Sequence, residues 1–151
     1  MFHQALYQEK RENLLYQLAL GIVLYRHQVG NGDHFHWEQP LRSLMLRHPS
    51  LTEIQVHTRA CQFDTCRAGN LRCPETQLHM KKGMVVLTTF APLYDHFHGM
   101  SCDNRHVHQS LEGSCRNHKG ETILRPQYSE VYPRKFARCS TSHSKGQVVA
   151  I

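Results

Sequence analysis

Residues 3–29 carry the feature that most constrains this chain: apolar side chains recurring every three or four positions. Leu14, Leu18, Ile22 and Tyr25 step by three and four, and Leu15, Ala19 and Val23 widen the same stripe. That period belongs to an amphipathic helix, so one helix is predicted from His3 to Val29. Gly30, Asn31 and Gly32 end it, because these residues leave the helical region at little cost. A stripe of this length must be covered, so the rest of the chain has to supply a layer for it to pack on.

The following segments provide candidates. His34-Phe-His-Trp-Glu38 alternates and ends at Pro40, which predicts a short strand and a turn. Phe35 and Trp37 share the face that packs against the helix, while His34 and His36 share the other. Leu41 to His48 suits one or two helical turns, Leu51 to Val56 a short helix, and Arg59 to Phe63 a strand. Gly69 to Thr76 is polar, contains Pro74, and is assigned to a loop. Met84-Val-Val-Leu-Thr-Thr89 is rich in β-branched residues and forms a strand. Pro92 to Phe97 begins a helix, with Pro accepted in its first turn. Residues 101–127 are rich in Gly, Cys and His and are expected to be irregular. Tyr132 to Cys139 suits a final helix, and residues 140–151 a frayed tail. This order of helices and strands gives an α/β fold in one domain spanning 1–151.

Charge and composition narrow the class. With 40% apolar and 20% charged residues the chain is in the globular range. Between Arg116 and Lys145 seven Lys or Arg face only Glu121 and Glu130, so that stretch holds +5 of the +6 total. Such an end suits phosphate backbones of DNA or RNA, with Arg134, Lys135 and Arg138 as contacts, and equally suits a solvated tail. Residues 2–10 have no apolar signal-peptide core, and Leu14 to Tyr25 is too short to span a bilayer. A soluble protein of a reducing intracellular compartment, with no membrane partner, is therefore expected. There, cysteines are buried, metal-bound or catalytic more often than paired in disulfides.

Thirteen His and six Cys make metal binding a natural question. Cys102-x3-His106-x-His108, with Cys115 seven residues on, puts four ligands within fourteen residues. Thiolate and imidazole are the donors tetrahedral zinc prefers, and a metal would order a segment with little apolar content. Cys66 is an alternative fourth ligand if the strand end at 64–66 lies beside this loop. A second cluster, Cys61-x4-Cys66-x6-Cys73, has a spacing that matches no standard site.

Several motifs, in order, resemble the later part of cytosine-C5 DNA methyltransferases of phage type, related copies of which occur in retroelement polyproteins. The strand end Glu38-Gln-Pro40 resembles the family's Glu-Asn-Pro or Glu-Asn-Val. Phe63-Asp-Thr-Cys-Arg-Ala-Gly69 resembles its aromatic-x-x-Cys-x-x-Gly segment, and Lys81 to Thr89 its Lys-Pro-Thr-x-strand-Thr-Asn segment. Cys102, His106-Val-His108 and Leu111-Glu-Gly113 are similar to a following Cys/His piece, and Tyr132 to Phe136 to a closing Tyr-Pro helix. The resemblance covers roughly residues 12 to 139. Gln39 replaces the usual Asn, and Gly83 stands where the family often has Thr.

The resemblance implies a partial Rossmann-like methyltransferase sheet with an irregular Cys/His-rich segment. It makes Glu38 the contact to the target cytosine's ring nitrogen, its carboxyl held protonated to donate to N3. The nucleophile would belong to a Pro-Cys loop upstream of Glu38, but residues 1–37 contain neither Cys nor Pro. The Gly-rich turn that would cradle S-adenosylmethionine is also missing. The expectation is thus a truncated domain, inactive alone, of the kind a mobile element carries, using the methyl donor only if a missing N-terminal half is supplied. A severed sheet would expose an edge and an uncovered apolar face, favouring self-association or pairing with that half. The competing expectation is a zinc-stabilised basic nucleic-acid-binding module.

Overall fold

In the computed structural model, which describes residues 2–130 and the side chains from Gln8 onward, the opening helix is α1 (Phe2–Gly30). Its buried stripe is narrower than the sequence suggested. Leu18, Gly21 and Tyr25 are buried and Leu14 and Ile22 half-buried, but Leu15, Ala19 and Val23 face solvent.

That layer is a three-stranded sheet of β1 (His36–Pro40), β2 (Arg59–Asp64) and β4 (Gly83–Thr88), with β4 in the middle. Both pairings are antiparallel, Glu38 and Cys61 standing opposite Val86 on either side. The mixed helix-and-strand class agrees with the sequence. A Rossmann-like sheet requires parallel neighbours joined by crossover helices, and the three strands of this sheet have none. Apolar pattern predicts which segments are strands but says nothing of strand direction; the Rossmann-like sheet was an expectation of the resemblance alone.

Alternation on β4 divides the core. Val85 and Leu87 point to the α1 side with Phe35, Trp37, Met45, Leu51 and Ile54. There α1 is joined by two 3-10 turns (Leu44–Arg47 and Pro49–Leu51) and α2 (Thr52–His57). Phe35 and Trp37 pack on α1 as their alternation predicted, Tyr25 meeting the Phe35 ring edge-on at 5.2 Å. Met84 and Val86 point the other way, with Cys61 and Phe63, onto Leu93 and Phe97 of α4 (Ala91–Phe97). Among the described residues, helices pack on both faces of this sheet. Its outer edges, on β1 and β2, have no further strand among the described residues.

Residues 101–127 are more ordered than expected. β5 (His108–Gln109) runs parallel to β3 (His79–Met80), and β6 (Ser114–Arg116) forms a hairpin with β7 (Thr122–Leu124). Gly120, at φ +80°, closes the hairpin turn, and Asn117 Oδ1 accepts the Lys119 and Glu121 N–H groups. A short helix, α5 (Arg125–Tyr128), follows. A third apolar cluster of Leu71, Cys73, Met80 and Cys115 holds these pieces together. The predicted helix at 132–139 and tail at 140–151 lie outside the described residues. No helix among the described residues is long and apolar enough to cross a membrane.

Candidate metal centre

β2 ends at Asp64, and the chain turns at once into α3 (Thr65–Ala68), a single turn the sequence reading did not anticipate. Thr65 makes the turn possible. Its hydroxyl donates to the Met80 carbonyl (3.0 Å) and accepts the Lys82 N–H (2.9 Å), so one side chain replaces a rung of backbone pairing. The second residue of this turn is Cys66, which is buried.

Opposite it comes the chain leaving α4. The Asp64 N–H donates to the Met100 carbonyl (3.1 Å) and the Cys102 N–H to Asp64 Oδ2 (2.7 Å). These two bonds fix Cys102 beside α3. Lys81 Nζ donates to Asn104 Oδ1 (2.9 Å) and lies 3.7 Å from Asp64 Oδ2, bracing the same loop. His108 is set by the β3–β5 pairing, which puts it level with His79. The His79 ring lies against His106, centroids 4.2 Å apart.

Cys66, Cys102, His106 and His108 come together, with one donor atom from each all within 4.8 Å of one another. Cys102 Sγ is 3.6 Å from His106 Nε2 and 3.3 Å from His108 Nε2. Zinc bonds of about 2.3 Å to sulfur and about 2.0 Å to nitrogen place such donors about 3.5 Å apart in a tetrahedron. The group is close enough to bind a metal ion as it stands.

The charges around the four side chains favour neutral donors in the metal-free protein. Burial pushes the Cys66 thiol up to about 12, reinforced by the hydrogen bond and charge of Cys102 and by Asp64, with Lys81 opposing. The Asn104 N–H already donates to Cys102 Sγ (3.3 Å), the kind of contact that stabilises a metal-bound thiolate. Burial, then the neighbouring His106 and Lys81, lower the pKa of His108 despite Asp64. That favours the neutral imidazole a metal needs.

Of the four ligands named first from sequence, three meet here and Cys115 does not. It sits on β6 in the third apolar cluster, beside Cys73, because the hairpin carries it away from the loop. Cys66, the alternative, takes its place. The Cys61-Cys66-Cys73 grouping is split: Cys61 packs under α4, Cys66 joins the centre, and Cys73 lies in the third cluster. Asp64, Lys81 and Asn104 were missed, since nothing in their spacing announces a support for ligands elsewhere in the chain.

Glu38 lies apart from the centre. It lines a cleft of about 650 Å³ at the Pro40 end of the sheet, with Leu14, Gln17, Arg42, Thr65 and Lys82 among its walls. Burial raises its carboxyl to about 7, against the opposing charge of Lys82. On the same sheet face His36 is half-buried, its Nδ1 2.8 Å from the Thr88 hydroxyl, and burial followed by His34 lowers it to about 4. Arg134, Lys135 and Arg138 lie outside the described residues. No protein-family model, no curated protein and no solved structure matches the chain.

Proposed function

We propose that the chain is a zinc-stabilised, basic nucleic-acid-binding module. The carrying observation is the donor set: Cys66, Cys102, His106 and His108 bring four donor atoms within 4.8 Å of one another, the number a tetrahedral site needs. Two thiolates and two imidazoles are a zinc set, and four protein ligands leave no open position for water or substrate. The metal is then structural, and its work is to shape a surface. Lys81 acts on His108 and Arg72 on the neighbouring His79, and Arg105, next to His106 in the chain, has a side chain that is 88% exposed. Residues 131–151 add Arg134, Lys135, Arg138 and Lys145 without a single acidic residue.

The test is binding of a short DNA duplex and a single-stranded RNA to zinc-loaded protein across a salt series. Affinity should fall with salt, with a slope of about −0.9 per phosphate contact on duplex. Replacing Arg134, Lys135 and Arg138 by Ala should flatten that slope by about 2 to 3. Chelation should abolish binding. Failure of the zinc-loaded protein to bind either nucleic acid at low salt, or binding unchanged after chelation, refutes the reading.

The cleft at Glu38 supports a second reading, the base-side part of a methyltransferase-like domain, phage or retroelement in kind. A carboxyl with a pKa of about 7 in a cleft suits a hydrogen-bond donor to a ring nitrogen. The antiparallel sheet weighs against it, which is why it stands second. On this reading the isolated chain does not transfer methyl groups. It binds a duplex with a mismatched cytosine more tightly than a matched one, because the mismatched base flips more easily. Equal affinity for the two duplexes, or a preference that survives Glu38→Ala, eliminates it.

A further inference from the structure

A helix that packs on a core with one face ordinarily carries charges on the other. The middle of α1 departs from that pattern. Between Glu12 and Arg26 no residue is charged on any side of the helix. The face turned away from the sheet carries Leu15, Tyr16, Ala19 and Val23, and all four are exposed, Tyr16 at 69% and Val23 at 62%. At about 100° per residue, Leu15, Ala19 and Val23 fall within about 40° of one line along the helix. They form a second apolar stripe, separate from the one that Leu18 and Tyr25 bury in the core.

This stripe has a two-fold pattern. Leu15 and Val23 stand four positions either side of Ala19, and Glu12 and Arg26 stand seven positions either side. Seven residues make almost two whole turns, so both charges lie on the line of the stripe, one at each end. Glu12 accepts only the Gln8 amide among the described residues, and Arg26, paired with Glu53, keeps a side chain 64% exposed. Two such helices laid antiparallel about a dyad at Ala19 put Leu15 of each beside Val23 of the other. Glu12 of each then meets Arg26 of the other. A parallel pair in register would set Glu12 against Glu12 and Arg26 against Arg26, so the charges select the antiparallel arrangement.

We propose that this stripe is the docking surface for a second copy of the chain, paired antiparallel about Ala19. Leu15, Ala19 and Val23 form the apolar centre of the contact, and the small Ala19 side chain lets the two backbones approach at the crossing. Glu12 and Arg26 close its two ends. The contact is self-complementary, as a two-fold interface must be. A lipid surface fits less well, because helices that lie on membranes carry Lys and Arg beside their apolar face, and Glu12 ends this one.

The experiment is sedimentation equilibrium of the full-length, reduced, zinc-loaded chain over about a hundredfold range of concentration. The mass should rise from 17.6 kDa toward twice that value. Ala19→Glu sets two like charges face to face at the dyad and should weaken pairing by about 100-fold or more. Residue 19 points to solvent within one chain, so the helical signal and Trp37 fluorescence of this variant should match the original. Glu12→Arg and Arg26→Glu should each weaken pairing by about 3- to 10-fold. Mixed in equal amounts, these two variants should pair again, because each then meets its opposite charge. A single-chain mass at every concentration overturns the proposal, as does a dimer that Ala19→Glu leaves intact. A mixture of the charge variants that pairs no better than either alone overturns the antiparallel arrangement. Should Ala19→Glu lose its helical signal, the original chain's mass and the mixture decide.

Discussion

At Gly21 the helix α1 lies directly on the Trp37 ring of the sheet, and its replacement by Ala is the sharpest test of the packing. A β-carbon there would lie 2.4 Å from Cη2 of Trp37 and 2.7 and 2.8 Å from two further ring carbons. Carbon atoms at rest keep about 3.5 to 4.0 Å apart. Trp37 is 2% exposed and Phe35 packs edge-on against it at 6.2 Å, so the indole has nowhere to go. In an open helix, Ala in place of Gly gains about 1 kcal/mol. Overpacking a filled core costs about 1 to 3 kcal/mol, and three contacts below 3 Å place this site at the upper end. The net expectation is a loss of about 1 to 2 kcal/mol. Gly30→Ala is the control, since nothing lies within 4 Å of a β-carbon there; it should change stability by no more than about 0.5 kcal/mol. Trp37 is the only tryptophan, so its fluorescence in urea reports the affected contact directly. Because Leu14 and Gln17 of the same helix line the Glu38 cleft, a shifted α1 should alter that cleft too. A Gly21→Ala protein as stable as the original would refute the wedge of Trp37 into α1.

Two further outcomes follow from the site. Glu38 is neutral in both folded and unfolded chain below about pH 4.5; as pH rises the unfolded chain ionises first, so stability is lost until about pH 7. At about 1.4 kcal/mol per pKa unit, reduced because the group is partly exposed, Glu38→Gln should gain about 1 to 2 kcal/mol at pH 8 and almost nothing at pH 4; an equal effect at both pH values would sink this account. Asp64→Asn keeps the acceptor for the Cys102 N–H but drops the charge beside Lys81. It should weaken zinc affinity by about 10- to 100-fold in a chelator competition, and undiminished affinity would show that Asp64 does not support the centre.

What could be read in advance depended on range. α1, Arg59–Asp64 and Gly83–Thr88 were legible because a helix or a strand writes its period into neighbouring residues. The Asn117-His-Lys-Gly120 turn was legible too, as a polar tight turn ending in Gly between two short strand-forming runs. It was passed over because the surrounding Cys and His suggested disorder awaiting a metal. Cys66 in place of Cys115 could not be decided locally. The choice rests on Asp64, 38 residues before Cys102, accepting its N–H, and no spacing rule reaches that far. Glu38 was singled out through a resemblance, and the cleft around it is made by α1, α3 and Lys82, none of which its own strand predicts.

The central position of β4 also sets an order of events in folding. Among the described residues β1 and β2 do not pair with each other; each bonds to β4, which follows both in the chain. The nearest rung, Asp64 to Gly83, closes a far shorter loop than Pro40 to Met84. The difference in closure entropy is about 0.7 kcal/mol, so β2 and β4 should meet first, bringing Cys66 into position before α1 and β1 dock. Such distant pairings make for slow folding. Until β4 is available, a growing chain has two strands, an amphipathic helix and no sheet for any of them to join.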